Sequence, residues 1–198
     1  MAEEQGIANK DSFALIALMQ YLLSRAGSKV DDSGNNIPID LQNRSRWDQS
    51  LILLANDWLA QGHKAEVNGT GRFYLEALIA QQHCQSPNFE STPWHKILFY
   101  YQRLYEITGS PVTLLNLAIA QAYSGDVHKG IAIVDSVIDT PILANSHLPF
   151  AALANLHAML GDQSAALDFA NRAIERGPSE HEVMLMMSQI ERHLVGYR

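Results

Sequence analysis

The chain has 198 residues, 47% of them hydrophobic, enough to bury a substantial core, and its composition excludes intrinsic disorder as the rule. A formal net charge of -7, with no cluster of lysine or arginine to offset it, argues against a surface built to grip a phosphate backbone. The one cysteine, Cys84, excludes an intrachain disulfide framework, reads as a small buried apolar residue and suits a reducing compartment, with the cytoplasm expected.

Met1 to Asp11 reads as a polar lead-in, and its Glu3 and Glu4 are the wrong flank for a secretory signal, whose amino end is positive. One α-helical domain is expected from residue 12 to residue 198. The first helix is predicted over Ser12 to Arg25, with Phe13, Leu15, Ile16, Leu18, Met19, Leu22 and Leu23 spread around the cylinder. Such a helix is either central or keeps one face for a neighbouring domain. Its apolar run, Phe13 to Leu23, is shorter than the roughly 20 residues a membrane span requires. Lys29 to Asp40 follows as a small hairpin or irregular loop around Asp31, Asp32, Ser33, Gly34 and Asn35. It fails as a calcium loop, because Asn36 and Gln42 stand where glycine and glutamate are needed.

A second helix is predicted to start at Ser45, capped by its hydroxyl with Asp48 completing a capping box, and to bury Trp47, Leu51, Leu54 and Trp58. Gly62 to Gly69 is a connector. A degenerate helical hairpin fills residues 70–109: one helix over Arg72 to Cys84, burying Tyr74, Leu75, Leu78 and Ile79, and another carrying Trp94, Ile97, Leu98, Tyr101, Leu104 and Tyr105. Thr92 and Pro93 open the latter, and Gly109 ends it.

Pro111 to Pro178 writes one hairpin twice. Leu114, Leu117, Ala118, Gly125, Asp126 and Gly130 recur in register as Phe150, Leu153, Ala154, Gly161, Asp162 and Ala166, with Ala173 and Pro178 completing the second copy. The turn glycines are 36 residues apart, close to the roughly 34 of a tetratricopeptide repeat. Each Gly-Asp predicts a tight turn between antiparallel helices, and the small residues let backbones approach. Copies of such hairpins must stack, so the expected fold is all-α, a right-handed solenoid of about nine helices. A ninth helix, Ser179 to Leu194, is expected to cap the stack with Val183, Met186, Met187, Ile190 and Leu194.

Chemistry is sparse. None of the eight histidines forms a helical zinc spacing, His83 and His157 sit on packing faces, and no phosphate loop or nucleophile elbow appears. No metal, no cofactor and no enzyme activity are therefore expected. The densest polar cluster is Arg44-Ser45-Arg46-Trp47-Asp48. It reads either as an interaction corner built from Arg44, Arg46, Trp47 and Asp48, or as a capped helix anchored by Trp47 with Arg44 near enough to pair with Asp48. A second candidate is the concave groove of the stacked hairpins, lined by Leu115, Asn116, Ile119, Ala122, Ala151, Asn155 and Met159. It would take an apolar helix or strand, unless the first or ninth helix already fills it.

From Leu15 to Leu194 the chain resembles the carboxy-terminal extension of bacterial extracytoplasmic-function (ECF) sigma factors that carry tetratricopeptide-like repeats. The resemblance rests on an ordered set: Leu15-Ile16-Ala17-Leu18-Met19; Asp32-Ser33-Gly34; Gln42 to Asp48, with Arg44-Ser45-Arg46-Trp47-Asp48 the strongest piece; Tyr74 to Ala80 with His83; Thr92-Pro93-Trp94; and Ser110-Pro111-Val112 with Leu115-Asn116. Asn43 and Pro93 stand where the family usually has aspartate, and Leu117 replaces an arginine. Nothing in the chain resembles the two promoter-reading domains of such factors, so by itself it is not expected to initiate transcription. The resemblance implies a regulatory protein-interaction module whose partners are the sigma amino-terminal domains or the RNA polymerase core, with no direct nucleic-acid binding and no membrane. The rival expectations are a stand-alone scaffold that binds another protein's peptide or helix and, with less behind it, an enzyme using Arg44, Arg46 and Asp48 on a small anion.

Overall fold

A computed structural model describes residues 10–64 and 71–196. The expected lead-in lies mostly outside the described residues, as does most of the Gly62 to Gly69 connector. Among the described residues the chain is all-α, with α1 Lys10–Ser24, α2 Gln49–Lys64, α3 Arg72–Gln85, α4 Trp94–Thr108, α5 Pro111–Tyr123, α6 Val127–Asp135, α7 Leu148–Met159, α8 Gln163–Ile174 and α9 Glu180–Val195. The loop after α1 holds one isolated bridge, Val30 to Asn36, with Gly34 at φ 82 and the Asp31 carboxylate accepting the Ser33 and Asn35 amides. Where the sequence suggests one domain, the fold divides into two compact units, Met1–Ile107 and Thr108–Arg198. The boundary falls beside Gly109, which has the positive φ of 57 that ends a helix.

In the first unit α1 packs on α2 and α3 through small residues. Its buried positions are Ala14, Ala17, Tyr21 and Ser24, one face at helical spacing. The facing surface of α2 is Ile52, Ala55, Leu59 and Gly62, and α3 offers Ala77 and Ala80. Contact is close enough that a Cβ on Gly62 would lie 3.0 Å from the Lys10 carbonyl and 3.2 Å from the Phe13 Cβ. The expected α2 face is thereby corrected: Leu54 is exposed and Trp47 precedes the helix. The alanine-rich register won because it lets α1 approach, and apolar periodicity alone does not separate the two.

Polar bonds pin the same three helices. The Tyr21 hydroxyl donates to Asn56 Oδ1 at 2.6 Å, and that oxygen also accepts from the Gln81 side chain at 2.9 Å. Asp11, read from sequence as lead-in, is the second residue of α1, and its carboxylate accepts the Tyr74 amide at 3.0 Å in the first turn of α3. Any side chain at Gly71 would collide with that carboxylate.

The second unit holds the two repeats. Gly125 and Gly161 both take positive φ, 107 and 74, and both end their helices in the same pair of bonds. The Gly125 amide donates to Ala122 and the Asp126 amide to Gln121; the Gly161 amide donates to Ala158 and the Asp162 amide to His157. This is the paired closure of a Schellman motif, which satisfies carbonyls the helix leaves open. Each aspartate then caps the next helix, accepting the Lys129 and Ala165 amides at 3.0 Å. Within the first hairpin a Cβ on Gly130 would sit 2.8 Å from the Ala118 carbonyl, whereas Ala166 fills the matching slot of the second. The hairpins share a core of Leu115, Ala118, Ala122, Val134, Leu153 and Leu156. Ala154, Ala158, Ala166 and Ala170 then receive Ile190 of α9. The Ser179 and Glu182 side chains form a capping box at the start of α9.

Gly130→Ala tests the close approach. Helix propensity alone would stabilise this variant by about 1 kcal/mol. We expect the backbone collision to win and stability in urea to fall by about 1–3 kcal/mol. A gain in stability would mean the two helices are not in contact there.

Candidate functional site

The Arg44 to Asp48 cluster folds as two local devices. Arg44–Arg46 is a single 3-10 turn, capped by Asn43 Oδ1, which accepts the Ser45 amide at 3.0 Å and the Ser45 hydroxyl at 2.7 Å. Asp48 is the cap of α2: its carboxylate accepts the Ser50 amide at 2.9 Å and the Leu51 amide at 3.1 Å, while its own amide donates to the Ser24 carbonyl at 2.9 Å. The expected start at Ser45 and the capping box with Asp48 are therefore corrected to a start at Gln49. Ser45 is committed to the preceding turn, and the aspartate lies where the helix amides point.

Arg44 does not pair with Asp48. Its Nη1 donates at 2.8 Å to each of two carbonyls, His83 and Ser86, where α3 ends, and Nη2 reaches the Thr92 hydroxyl at 3.4 Å. A cation at a helix carboxyl end is favourable, because the carbonyls there carry the negative pole. The same guanidinium lies 5.1 Å from the Trp47 ring centroid. Arg25, just past α1, lies 5.2 Å from the same ring and donates from Nε to Gln42 at 3.1 Å, and Gln42 in turn donates to the Ile37 carbonyl. Trp47 itself is buried among Ala14, Ala17, Tyr21, Ile52 and Cys84. The cluster is thus a clamp that ties the end of α1, the following loop, the end of α3 and the Thr92 segment around one indole. Arg46 is exposed and takes no part.

An open cavity of about 320 Å³ borders this clamp, lined by Arg44, Ser45, Trp47, Gln49, Cys84 and Ser86 among others. Burial shifts Cys84 in its lining and the neighbouring His83. Burial pushes the Cys84 thiol up, against the opposing effects of the Ser24 hydroxyl and the two arginines, so it is a poor nucleophile at neutral pH. Burial, then Arg25 and Arg44, push His83 down to about 4, and its Nδ1 has no hydrogen-bond partner. His83 packs edge-on to Trp94 at 5.5 Å, the packing role its position suggested. His157 is stacked on Phe169 at 5.2 Å.

The expected groove is largely corrected. Leu115 and Ala122 are buried in the shared core of the hairpins, and Ile119 and Met159 are partly buried against it. Asn155 is buried with its Oδ1 unpartnered. Ala151 is half-buried, and Asn116 alone of the seven is exposed. Five of the seven side chains are thereby taken into, or against, the packed interior of the hairpins.

The surface that sequence left undecided is the outer face of α1. Ile16, Met19, Leu22 and Leu23 are 38%, 54%, 40% and 57% exposed, and no charged residue lies between Asp11 and Arg25. The signal was present in the alanines: Ala14 and Ala17 mark the inward face, which sends the bulky residues out.

Comparison with known proteins adds little chemistry. Residues 1–63, which hold α1, the clamp turn and nearly all of α2, match a family of unknown function, DUF6596. An uncharacterized protein of Rhizobium meliloti (strain 1021) is 30% identical over 129 residues, which is 65% of this chain and 30% of that protein. The match thus spans under a third of the relative's length. No solved structure matches.

His83 gives the clamp a pH signature. Its folded pKa of about 4 lies below the ordinary 6.5, so between those values the unfolded chain binds the extra proton and stability falls as pH falls. We expect His83→Asn to remove part of that loss, on the order of 2 kcal/mol between pH 7 and pH 4, read by urea unfolding. Equal pH slopes in both proteins would show that the imidazole is solvated.

Proposed function

We propose that this chain is a regulatory protein-interaction module of an ECF sigma factor, acting on transcription initiation by docking the outer face of α1 on the promoter-reading domains. The observation that carries the reading is the uncharged apolar stripe of Ile16, Met19, Leu22 and Leu23, left in water on a helix whose other face is fully packed. Contiguous apolar surface of this kind marks an interaction site. The choice of partner rests on the resemblance of the ordered motifs to the sigma-factor extension. Further support comes from the relative, in which the matching stretch is a minor part of a longer chain. A net charge of -7 suits contact with a DNA-reading partner, which must itself be basic, better than contact with DNA. The clamp contributes rigidity at the root of α1 through Asp48 and Arg25.

The stand-alone scaffold reading loses its groove, because Leu115, Ala122 and Asn155 are buried. The enzyme reading has less behind it, because Arg44 is engaged with the carbonyls at the end of α3 and Asp48 with the first amides of α2.

Calorimetric titration of the chain with the amino-terminal half of an ECF sigma factor of this type tests the proposal. Saturable binding is expected, weakened about tenfold or more by Met19→Glu with Leu23→Glu, positions where both side chains already face water. No association, or association indifferent to the double variant, would refute docking through α1.

A further inference from the structure

The clamp holds positive charge that the chain itself does not neutralise, and it does so beside open space. The Arg25 and Arg44 guanidiniums lie 5.2 and 5.1 Å from the same Trp47 ring, and among the described residues neither forms an ion pair. Burial pushes both down from the usual guanidinium range, against smaller opposing effects of Cys84 and, on Arg44, of Glu90. A charge drawn out of water in this way ordinarily has a partner of opposite sign. Arg44 also has donors to spare. Of its five N–H groups, two on Nη1 go to the His83 and Ser86 carbonyls and one on Nη2 goes to the Thr92 hydroxyl. The Nε–H and the second Nη2–H remain, on the two nitrogens whose shared edge can meet a carboxylate through parallel bonds.

The cavity of about 320 Å³ opens on this residue, and in a chain with 21 acidic residues none of them lines it. Trp47 is in the lining, is 3% exposed, and has an indole Nε1 that is buried without a hydrogen-bond partner. Gln49, the first residue of α2, brings the positive pole of that helix to one side. The carboxylate beside it, Asp48, accepts the Ser50 and Leu51 amides and is not in the lining. On the other side α3 ends at Gln85, where Arg44 already meets the negative pole. Trp47, Cys84 and Pro87 supply apolar wall.

We propose that this cavity binds a small organic monocarboxylate with a flat apolar body, its carboxylate on the Nε/Nη2 edge of Arg44 and the Trp47 indole N–H as a further donor. Arg44 is the one cation in the lining, so a single negative charge is matched and a second would have no partner. The volume is at the small end for ligand pockets yet larger than a carboxylate group alone, which calls for a compact body against the indole, Cys84 and Pro87. One charge-assisted fork and a body of few atoms give a weak complex, with a dissociation constant on the order of 1 mM. The site is separate from the outer face of α1 and does not rest on the docking reading.

Titration of the 15N-labelled chain with benzoate, followed at the Trp47 indole N–H resonance, tests this. A saturable shift is expected, and benzamide, which has the same shape without the charge, should bind about tenfold or more weakly. Arg44→Lys keeps the charge and loses the fork, and should weaken benzoate about tenfold. Gln49→Glu keeps the test decisive even where Arg44→Lys fails to fold. It places a carboxylate in the lining at an exposed helix start, where an acid suits the fold, and should weaken benzoate about tenfold or more while circular dichroism stays unchanged. No shift up to about 20 mM benzoate overturns the proposal. So does equal binding of benzamide, a Gln49→Glu variant that binds benzoate as before, or inorganic phosphate that binds as well as benzoate.

Discussion

The contact that governs this molecule is helix against helix through alanine and glycine. Ala14, Ala17 and Gly62 set the spacing in the first unit; Ala118, Gly130, Ala154, Ala158 and Ala166 set it in the second. Small side chains allow axes to approach to the short end of the usual 8–10 Å, which gains dispersion contacts between backbones. The same choice has a cost. A helix has room for only so many residues per turn, and when the small ones face inward the large ones are displaced to flanks and outer faces. Met19, Leu23, Met184 and Val195 are each more than half exposed for this reason. A side chain of this size left half in water forgoes roughly 1 kcal/mol of burial. A stripe of four such residues is a reservoir of binding free energy, to be set against the cost of immobilising a partner.

How much of this was legible depended on distance along the chain. The Gly-Asp turns were readable because every bond that makes them is local: glycine supplies the positive φ, and aspartate reaches an amide three residues on. The small contact positions of the repeats were readable because they recur. The register of α2 was not, since Trp47, Leu51, Leu54, Trp58 and Ile52, Ala55, Leu59, Gly62 are both helical stripes, and only the presence of α1 chooses between them. The clamp was hidden for the same reason. Arg44 lies 39 and 42 residues from the carbonyls it binds, and Asp11 lies 63 residues from the amide it accepts. Locally, Arg44 and Asp48 looked like partners for each other. The groove failed because a repeat signature fixes which helices pair but not how deeply consecutive hairpins bury their inner faces.

These outcomes bear on function by subtraction and by addition. The polar cluster that stood out in the sequence holds α1, α3 and the Trp47 indole together. The buried His83 and Cys84 beside it are shifted away from reactivity by their own desolvation. Among the described residues, apolar helix surface is exposed on the outer face of α1 and on the flank of α9. Both lie outward because the interior was satisfied by smaller residues. Rigid helices that present apolar stripes are suited to holding protein, and the clamp fixes the carboxyl end of one such helix in place.

The inward placement of small residues and the outward placement of large ones can be measured directly by methionine oxidation. Dilute peroxide applied to the chain should oxidise Met19 and Met184 about tenfold or more faster than Met186 and Met159, which pack against the core. Peptide mapping by mass spectrometry reads each site separately. Slow oxidation of Met19, on a par with Met186, would mean that α1 turns its bulky face inward, and the account of both surfaces would fall with it.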